Sequence, residues 1–248
     1  MTLLLTEIHC LDGLAHSCIV FAADRRISQN RKYAGTRKKV FQIPYLRAGV
    51  GFFGLAEVPT KTKNQAMSDW LMRFIRRNSN LKSLQAFASA LTDSLNKDIP
   101  ANWRQINVSG FHVAGYNSSN IPEFWYVRNV KDDRITITGV YEAREDFLRR
   151  DATALGYDGQ NPRSAQTGLV QTYRNGDIRA HVAAWERIDE GLGTLLKEPE
   201  FKKLRAISDY EQWVKYKMEV IAYFYKKYCR VSLVARPIDT FSIVGRSA

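Results

Sequence analysis

The chain has 248 residues, of which 45% are hydrophobic and 25% charged, and its formal net charge is +12. This composition is typical of a folded globular protein, and the length suits one large domain or two small ones. The apolar runs are too short to cross a membrane, and the N-terminus has neither a basic segment before its leucines nor a small-residue cleavage site. We therefore expect no membrane span and no signal peptide.

The cysteines and the spread of positive charge indicate the compartment and the class of partner. There are three cysteines, without the spacing of a metal site, so we expect a reduced, cytoplasmic compartment, no metal and no other cofactor. Lys and Arg residues are distributed over the whole chain and no nucleic-acid motif accompanies them, which favours a basic solvated surface over a nucleic-acid site. His9 and His16 are predicted to face each other across the first hairpin, as structural or surface histidines.

The first sixty residues are predicted to form mainly strands. Asp12-Gly13 marks the first turn, and a long loop is expected at Leu14–Ser17. The second strand is expected to end on Asp24-Arg25-Arg26, and a polar, basic loop is expected to follow through Thr36. The strands themselves are predicted over Thr2–Leu11, Ser17–Ala23, Lys39–Ile43 and Arg47–Phe53.

The rest of the chain alternates between blocks of helices and blocks of strands. Apolar residues at i, i+3, i+4 and i+7 predict helices over Gln65–Arg77 and Leu81–Lys97. Three strands are predicted after them, over Val108–Tyr116, Glu123–Asn129 and Arg134–Tyr141. No element is assigned to Asp151–Thr167. Near the C-terminus we predict a helix over Asp177–Leu196, a helix apolar nearly all round over Tyr210–Tyr228, and two short strands within Val231–Val244.

Segregated blocks of strands and helices indicate an α+β fold. Two sheets, each with one apolar face and each covered by a pair of helices, would form a four-layer αββα sandwich. Because the chain has no Pro/Gly/Ser-rich linker and no internal repeat, we expect a single domain over residues 1–248.

Thr2 is the first candidate functional residue because it directly follows Met1. Removal of Met1 would give Thr2 a hydroxyl and a free α-amine, which together are a nucleophile and its base. Such an amine titrates near ~7.7–8.0 and is a base at neutral pH. A Lys cation beside it would lower the pKa of the amine, and a carboxylate would compensate a buried Lys. A backbone N–H that donates to the oxyanion of the tetrahedral intermediate stabilises it by about 3–4 kcal/mol.

Three short motifs follow Thr2 in an order that carries a resemblance. They are AADRR at Ala22–Arg26, KKV at Lys38–Val40 and AGVGFFGLAE at Ala48–Glu57. Together with the N-terminal strand they resemble the start of a proteasome β-type subunit, over about the first fifth of the chain. The chain is thus similar to N-terminal nucleophile (Ntn) hydrolases, which include HslV-type peptidases and bacterial proteasome homologues such as Anbu. The fold of this superfamily is the αββα sandwich.

The resemblance implies a catalytic set. Thr2 would be the nucleophile, Asp24 the buried carboxylate that ends the second strand, and Lys39 the active-site lysine. Phe53 and Gly54 fall where the family has a glycine pair whose backbone amide forms the oxyanion hole. Taken singly, Asp24 also suits a strand cap or a pair with Arg25, and Lys38 and Lys39 both suit an exposed strand end.

The resemblance also implies substrate contacts. Ser28 falls where the family pairs its backbone with an extended peptide, and Arg26 matches the arginine two residues after the aspartate. Arg37 falls at a position that lines the substrate pocket, which predicts a preference for an acidic or polar side chain. The residues expected around Arg37 are Ile27, Gly51 and Leu55. For the later Ser and Asp that support the amine, Asp151 and Asp158 are candidates by chain position alone.

The leading hypothesis is a threonine-type peptidase that acts on peptides or unfolded proteins as one subunit of a homo-oligomeric ring. Whether an ATPase partner feeds the ring is left open. One alternative is a catalytically inactive ring or scaffold that binds a partner, such as a nucleic acid, through its +12 charge. The other is an Ntn amidase that acts on small amides.

Overall fold

A computed structural model of the chain describes residues 3–14, 16–29, 32–59, 64–131, 136–147, 170–177, 184–230 and 233–245. Thr2, Asp151 and Asp158 lie outside the described residues. The strands are β1 Leu3–Asp12, β2 His16–Asp24, β3 Arg26–Gln29, β4 Lys32–Thr36, β5 Val40–Ile43, β6 Ala48–Phe53, β7 Glu57–Val58, β8 Gln65–Ala66, β9 Gly110–Tyr116, β10 Pro122–Val130, β11 Ile137–Glu145, β12 Val170–Gly176 and β13 Ile238–Val244. The helices are α1 Met67–Arg77, α2 Leu84–Asp98, α3 Ala101–Ile106, α4 Glu186–Leu195 and α5 Ile207–Tyr228.

The N-terminal strand lies inside a four-stranded antiparallel sheet with the order β12-β1-β2-β13. Leu3 at the start of β1 is opposite Gly176 at the end of β12, while Leu4 is opposite Ala23 of β2. The loop predicted at Leu14–Ser17 is wrong, because β2 already begins at His16. The two strands are 10 and 9 residues long, and Gly13 turns the chain with φ of 72°.

A second antiparallel sheet has the order β11-β10-β9-β6-β5. Two glycines of β6 let it approach the first sheet closely. A Cβ at Gly49 would lie 2.7 Å from the Phe21 ring, and a Cβ at Gly51 would lie 2.6 Å from the Leu4 side chain. Larger residues at either position would push the two sheets apart.

Three clusters of buried apolar side chains hold these elements together. The first joins the five-stranded sheet to α1 and α2, and it includes Phe52, Leu71 and Leu91. The second contains residues of both larger sheets, such as Leu4, Phe21 and Phe124. The third joins the four-stranded sheet to α5. The residues in these three clusters favour a layer order of helices, sheet, sheet and helices. The αββα sandwich remains a prediction.

The structure differs from the predicted elements where local patterns were weak. The polar segment expected as a loop contains the β3–β4 hairpin, whose bulge coincides with Gly35 at φ of 122°. Polar residues can form strands when backbone pairing rather than burial holds them. The short helix α3 and the strand β12 were not predicted. Of the helix predicted over Asp177–Leu196, the structure describes α4, while residues 178–183 lie outside the described residues.

The C-terminal part also needs correction. Within residues 233–244, the part of this segment that the structure describes, there is one strand, β13, where two were predicted. The helix α5 was predicted to be packed nearly all round, but it buries one face, and four aromatic side chains on it are exposed: Tyr216, Tyr223, Phe224 and Tyr228. Among the described helices, none combines the length and apolar character that a bilayer crossing requires.

Candidate functional site

Asp24 and Lys39 form a buried ion pair at the end of β2. Lys39 Nζ lies 3.1 Å from Oδ1 of Asp24 and donates to the backbone carbonyl of Arg26 at 2.7 Å. Both side chains are fully buried. The adjacent Lys38 has the opposite surroundings. It stays exposed, and its ammonium lies 5.7 Å from the centre of the Phe41 ring.

Asp24 also accepts two backbone N–H groups. Its Oδ1 binds the N–H of Leu3 at 2.8 Å, and its Oδ2 binds the N–H of Arg26 at 3.1 Å. One carboxylate therefore connects the Lys39 ammonium to the backbone of the residue that directly follows Thr2. A charged pair buried to this extent is retained only with such a full set of hydrogen bonds.

Burial opposes charge on both members of the pair. It raises the pKa of Asp24, although Lys39 and the two backbone N–H groups favour the carboxylate. It lowers the pKa of Lys39, although Asp24 favours the ammonium. Burial and the ion pair therefore act in opposite directions on the pKa of each member.

The alternative pairing of Asp24 with Arg25 does not occur. The guanidinium of Arg25 binds Asp239 of β13, with Nε 2.7 Å from each carboxylate oxygen. The backbone N–H of Arg25 donates to the carbonyl of Pro237 at 3.2 Å. Arg25 is thus paired with Asp239, whereas Asp24 is paired with Lys39.

The turn predicted to hold the oxyanion donor follows β6. Phe53 is the last residue of this strand, and Gly54 has φ of 84°. A Cβ at Gly54 would lie only 2.0 Å from the carbonyl oxygen of Val108, so this position requires glycine. The N–H of Phe52 donates to the carbonyl of Lys39 at 3.0 Å. Because N–H directions alternate along a strand, the N–H of Gly54, rather than that of Phe53, points to the Lys39 side.

The five residues predicted to bind substrate fall into two groups. Ile27, Ser28 and Arg37 belong to the β3–β4 hairpin and the residue after it, beside Asp24. Arg37 is exposed, and its N–H binds the carbonyl of Arg25 at 2.9 Å. By contrast, Gly51 is buried beneath Leu4, and Leu55 is buried in the cluster that also contains α1.

Two polar features were not singled out from the sequence. Asp177, which the sequence placed in a helix, directly follows Gly176, the partner of Leu3, and is 1% exposed. The second feature is a buried chain of hydrogen bonds through Thr6, His112 and Asn175. The turn-like dipeptide Gly176-Asp177 was the one local signal for the end of β12, whereas nothing local to His112 indicates its partners.

The expected contact of His9 with His16 is wrong, because His9 is opposite Cys18 and His16 is opposite Asp12. His9 lies beside Glu7, with Nε2 2.9 Å from Oε2. Within the part of the chain that the structure describes, no three His, Cys, Asp or Glu side chains are grouped as metal ligands would be.

Comparison of the chain with protein-family models and with curated proteins gave no match.

Proposed function

We propose that the chain is a threonine-type peptidase in which Thr2, freed by removal of Met1, is the nucleophile. The observation that supports this most directly is the contact set of Asp24. Its carboxylate binds both the buried Lys39 ammonium and the N–H of Leu3, the residue next to Thr2. An Ntn hydrolase needs a cation close to the start of its first strand, and here a buried carboxylate holds one there.

The proposed reaction uses these groups in sequence. The α-amine of Thr2 takes the proton of the Thr2 hydroxyl as Oγ attacks the substrate carbonyl. Lys39 stabilises the developing alkoxide, and the N–H of Gly54 donates to the tetrahedral oxyanion. The protonated amine then gives its proton to the leaving amine, and an ester to Thr2 remains. Water, deprotonated by the same amine, hydrolyses that ester and restores the free threonine.

Asp177 is the carboxylate that we assign to the support of the Thr2 amine, in place of Asp151 and Asp158. The β1–β12 ladder ends with Leu3 opposite Gly176, and Asp177 directly follows this strand. Asp177 is 1% exposed, so it is buried at the end of the ladder at which β1 begins. An aspartate there would favour the protonated amine between the two proton transfers.

The proposed substrate is a peptide or unfolded protein with an acidic or polar side chain near the cleaved bond. Arg37 and Lys38 are exposed next to Lys39, and the Arg26 guanidinium lies 5.0 Å from the centre of the Tyr33 ring on the same hairpin. Cations on this side of the site attract acidic substrates at moderate salt. Replacement of Arg37 by Ala is therefore expected to reduce the preference for acidic over apolar reporters.

Intact mass before and after a threonine-directed covalent inhibitor tests the proposal. We expect the wild-type chain to lack Met1 and to gain one inhibitor, and the Thr2→Ala variant to fold but gain none. Asp177→Asn should slow labelling without a change in its stoichiometry. Retention of Met1 in the folded protein would rule out the mechanism.

The same samples distinguish the peptidase from the two alternative functions, an amidase and a scaffold. Labelling with turnover of small amides but not of peptides would indicate an amidase. A chain that is not labelled but forms a salt-sensitive complex with RNA or DNA would indicate a scaffold instead.

A further inference from the structure

A chain of polar side chains crosses the mainly apolar interface between the two larger sheets. Thr6 Oγ1 lies 3.0 Å from Nδ1 of His112, and Nε2 of His112 lies 2.6 Å from Oδ1 of Asn175. These residues belong to β1, β9 and β12, so one imidazole connects the four-stranded sheet to the five-stranded sheet. Thr6 and His112 are both fully buried.

The hydrogen-bond partners of His112 define the role of each ring nitrogen and the orientation of the ring. An amide oxygen only accepts hydrogen bonds, so Nε2 donates to Oδ1 of Asn175, and in the neutral ring Nδ1 accepts the hydroxyl of Thr6. The rings of Phe124, Tyr126 and Phe53 surround the imidazole at centroid distances of 5.1, 5.2 and 6.3 Å. Rotation of this ring would leave buried polar groups without partners, which costs roughly 1–3 kcal/mol for each group. The ring is therefore held in one orientation.

This imidazole lies between the two halves of the proposed active site. In the β6–β9 ladder His112 is opposite Gly51, and its ring meets that of Phe53, the residue before the oxyanion donor. On the other sheet, Thr6 is three residues after Leu3, whose N–H binds the catalytic carboxylate. The bond from Thr6 to His112 therefore connects β1, which begins at the residue after Thr2, to β9, which pairs with the strand that ends at the oxyanion turn.

We propose that His112 is a positioning residue that sets the separation between Thr2 and the N–H of Gly54. This inference rests on the proposed function. Apolar contacts between the sheets are non-directional, whereas a hydrogen bond restricts both distance and angle. A displacement of about 1 Å between reacting groups can cost 100-fold in rate, so one directional contact between the sheets has a kinetic effect out of proportion to its energy. His112 is buried away from solvent and acts through β1 and β6 rather than on the substrate.

A matched pair of variants at Thr6 tests this role. Thr6→Val keeps the shape of the side chain and removes the hydroxyl, whereas Thr6→Ser keeps the hydroxyl and removes a methyl group. We expect Thr6→Val to lower kcat by about tenfold with KM changed less than twofold. Thr6→Ser should retain kcat within about twofold of the wild type, because its hydroxyl still reaches Nδ1.

NMR provides a readout that does not depend on activity. In Thr6→Val, the amide resonances of Leu3 and Gly54 should shift together with the Nδ1 resonance of His112, and Thr6→Ser should leave them close to the wild-type positions. Equal kcat in the two variants, or amide resonances that do not respond in a folded Thr6→Val protein, would overturn the positioning role. If the wild type is not labelled at Thr2 while these resonances still respond, the proposed function has failed and the connection between the strands stands.

Discussion

Lys38 and Lys39 are adjacent residues with opposite surroundings, and this makes them a matched pair for mutation. Lys39→Ala leaves the Asp24 carboxylate buried without its cation, and the loss of one partner of a buried pair costs about 3–5 kcal/mol. Lys38→Ala removes an exposed ammonium and should change stability by less than about 0.5 kcal/mol. Urea unfolding measures both values, and turnover should be lost in Lys39→Ala alone.

The pH dependence of the Lys39→Ala defect has a definite sign. Burial raises the pKa of Asp24, and removal of the cation raises it further. A group whose pKa is higher in the folded than in the unfolded state stabilises the fold below its unfolded pKa and loses that contribution as pH rises. The defect should therefore be smaller near pH 4 than at pH 8. An equal defect at both values would contradict an uncompensated Asp24 carboxylate.

At the scale of single residues, the sequence predicted those site members that carry a local signal. Asp24 ends an apolar strand and Lys39 follows a basic loop, so their motifs could be recognised before their contact was known. Asp177 has only the turn-like dipeptide Gly176-Asp177, and His112 has no local signal. Their places follow from contacts between distant residues, such as the pairing of Leu3 with Gly176 and the hydrogen bond of Thr6 with His112 across 106 residues, and a single sequence does not specify such contacts.

At the scale of elements, β1 and α5 are joined by a buried ion pair on the helix-facing side of the sheet. Lys217 Nζ lies 3.0 Å from Oε1 of Glu7 and 2.6 Å from Oδ1 of Asp189. Burial alone would raise the pKa of Glu7, but Lys217 and His9 outweigh it and lower the pKa from 4.5 to about 2. The pair therefore holds the longest helix of the described residues against the first strand.

This depressed pKa predicts an acid-sensitive contribution to stability. A carboxyl whose pKa falls on folding stabilises the protein above its unfolded pKa, and the contribution is lost as pH falls from about 4.5 toward 2. A shift of this size corresponds to about 3 kcal/mol. Glu7→Gln should lower stability at pH 7 and flatten its decline between pH 5 and pH 2. Glu219→Gln, in a more exposed pair with Arg236, is the control and should behave like the wild type.

Elements were predicted best where periodicity is strong. The helices α1 and α2 each begin and end within a few residues of their predicted limits, since their apolar faces repeat at helical spacing and Ser83 caps α2 by accepting the N–H of Ala86. The β3–β4 hairpin has no apolar alternation and was missed. Its backbone pairing and the hydrogen bond from Lys39 to the carbonyl of Arg26 hold it instead.

At the scale of the whole molecule, α5 carries an exposed aromatic surface made of Tyr216, Tyr223, Phe224 and Tyr228. These side chains are 50%, 61%, 59% and 69% exposed. Aromatic residues are enriched at protein–protein interfaces, and a cluster of them is unusual on the surface of a monomer. The homo-oligomeric ring expected from the sequence resemblance would use this surface for contacts between subunits.

Light scattering on a sizing column tests that role. We expect the wild-type protein to elute as an oligomer of its 28.4 kDa chain, and the double variant Tyr223→Glu and Phe224→Glu to elute as a folded monomer, because burial of two carboxylates in an interface carries a large desolvation cost. Ile106→Glu, at a side chain 75% exposed on α3, is the control for added charge and should leave assembly unchanged. A monomeric wild type, or dissociation by both changes, would contradict an interface on α5.

The α5 variant also tests whether catalysis depends on assembly. Loss of assembly with labelling of Thr2 retained would show that each subunit completes its own site. Loss of both assembly and labelling would show that the proposed catalysis depends on the ring.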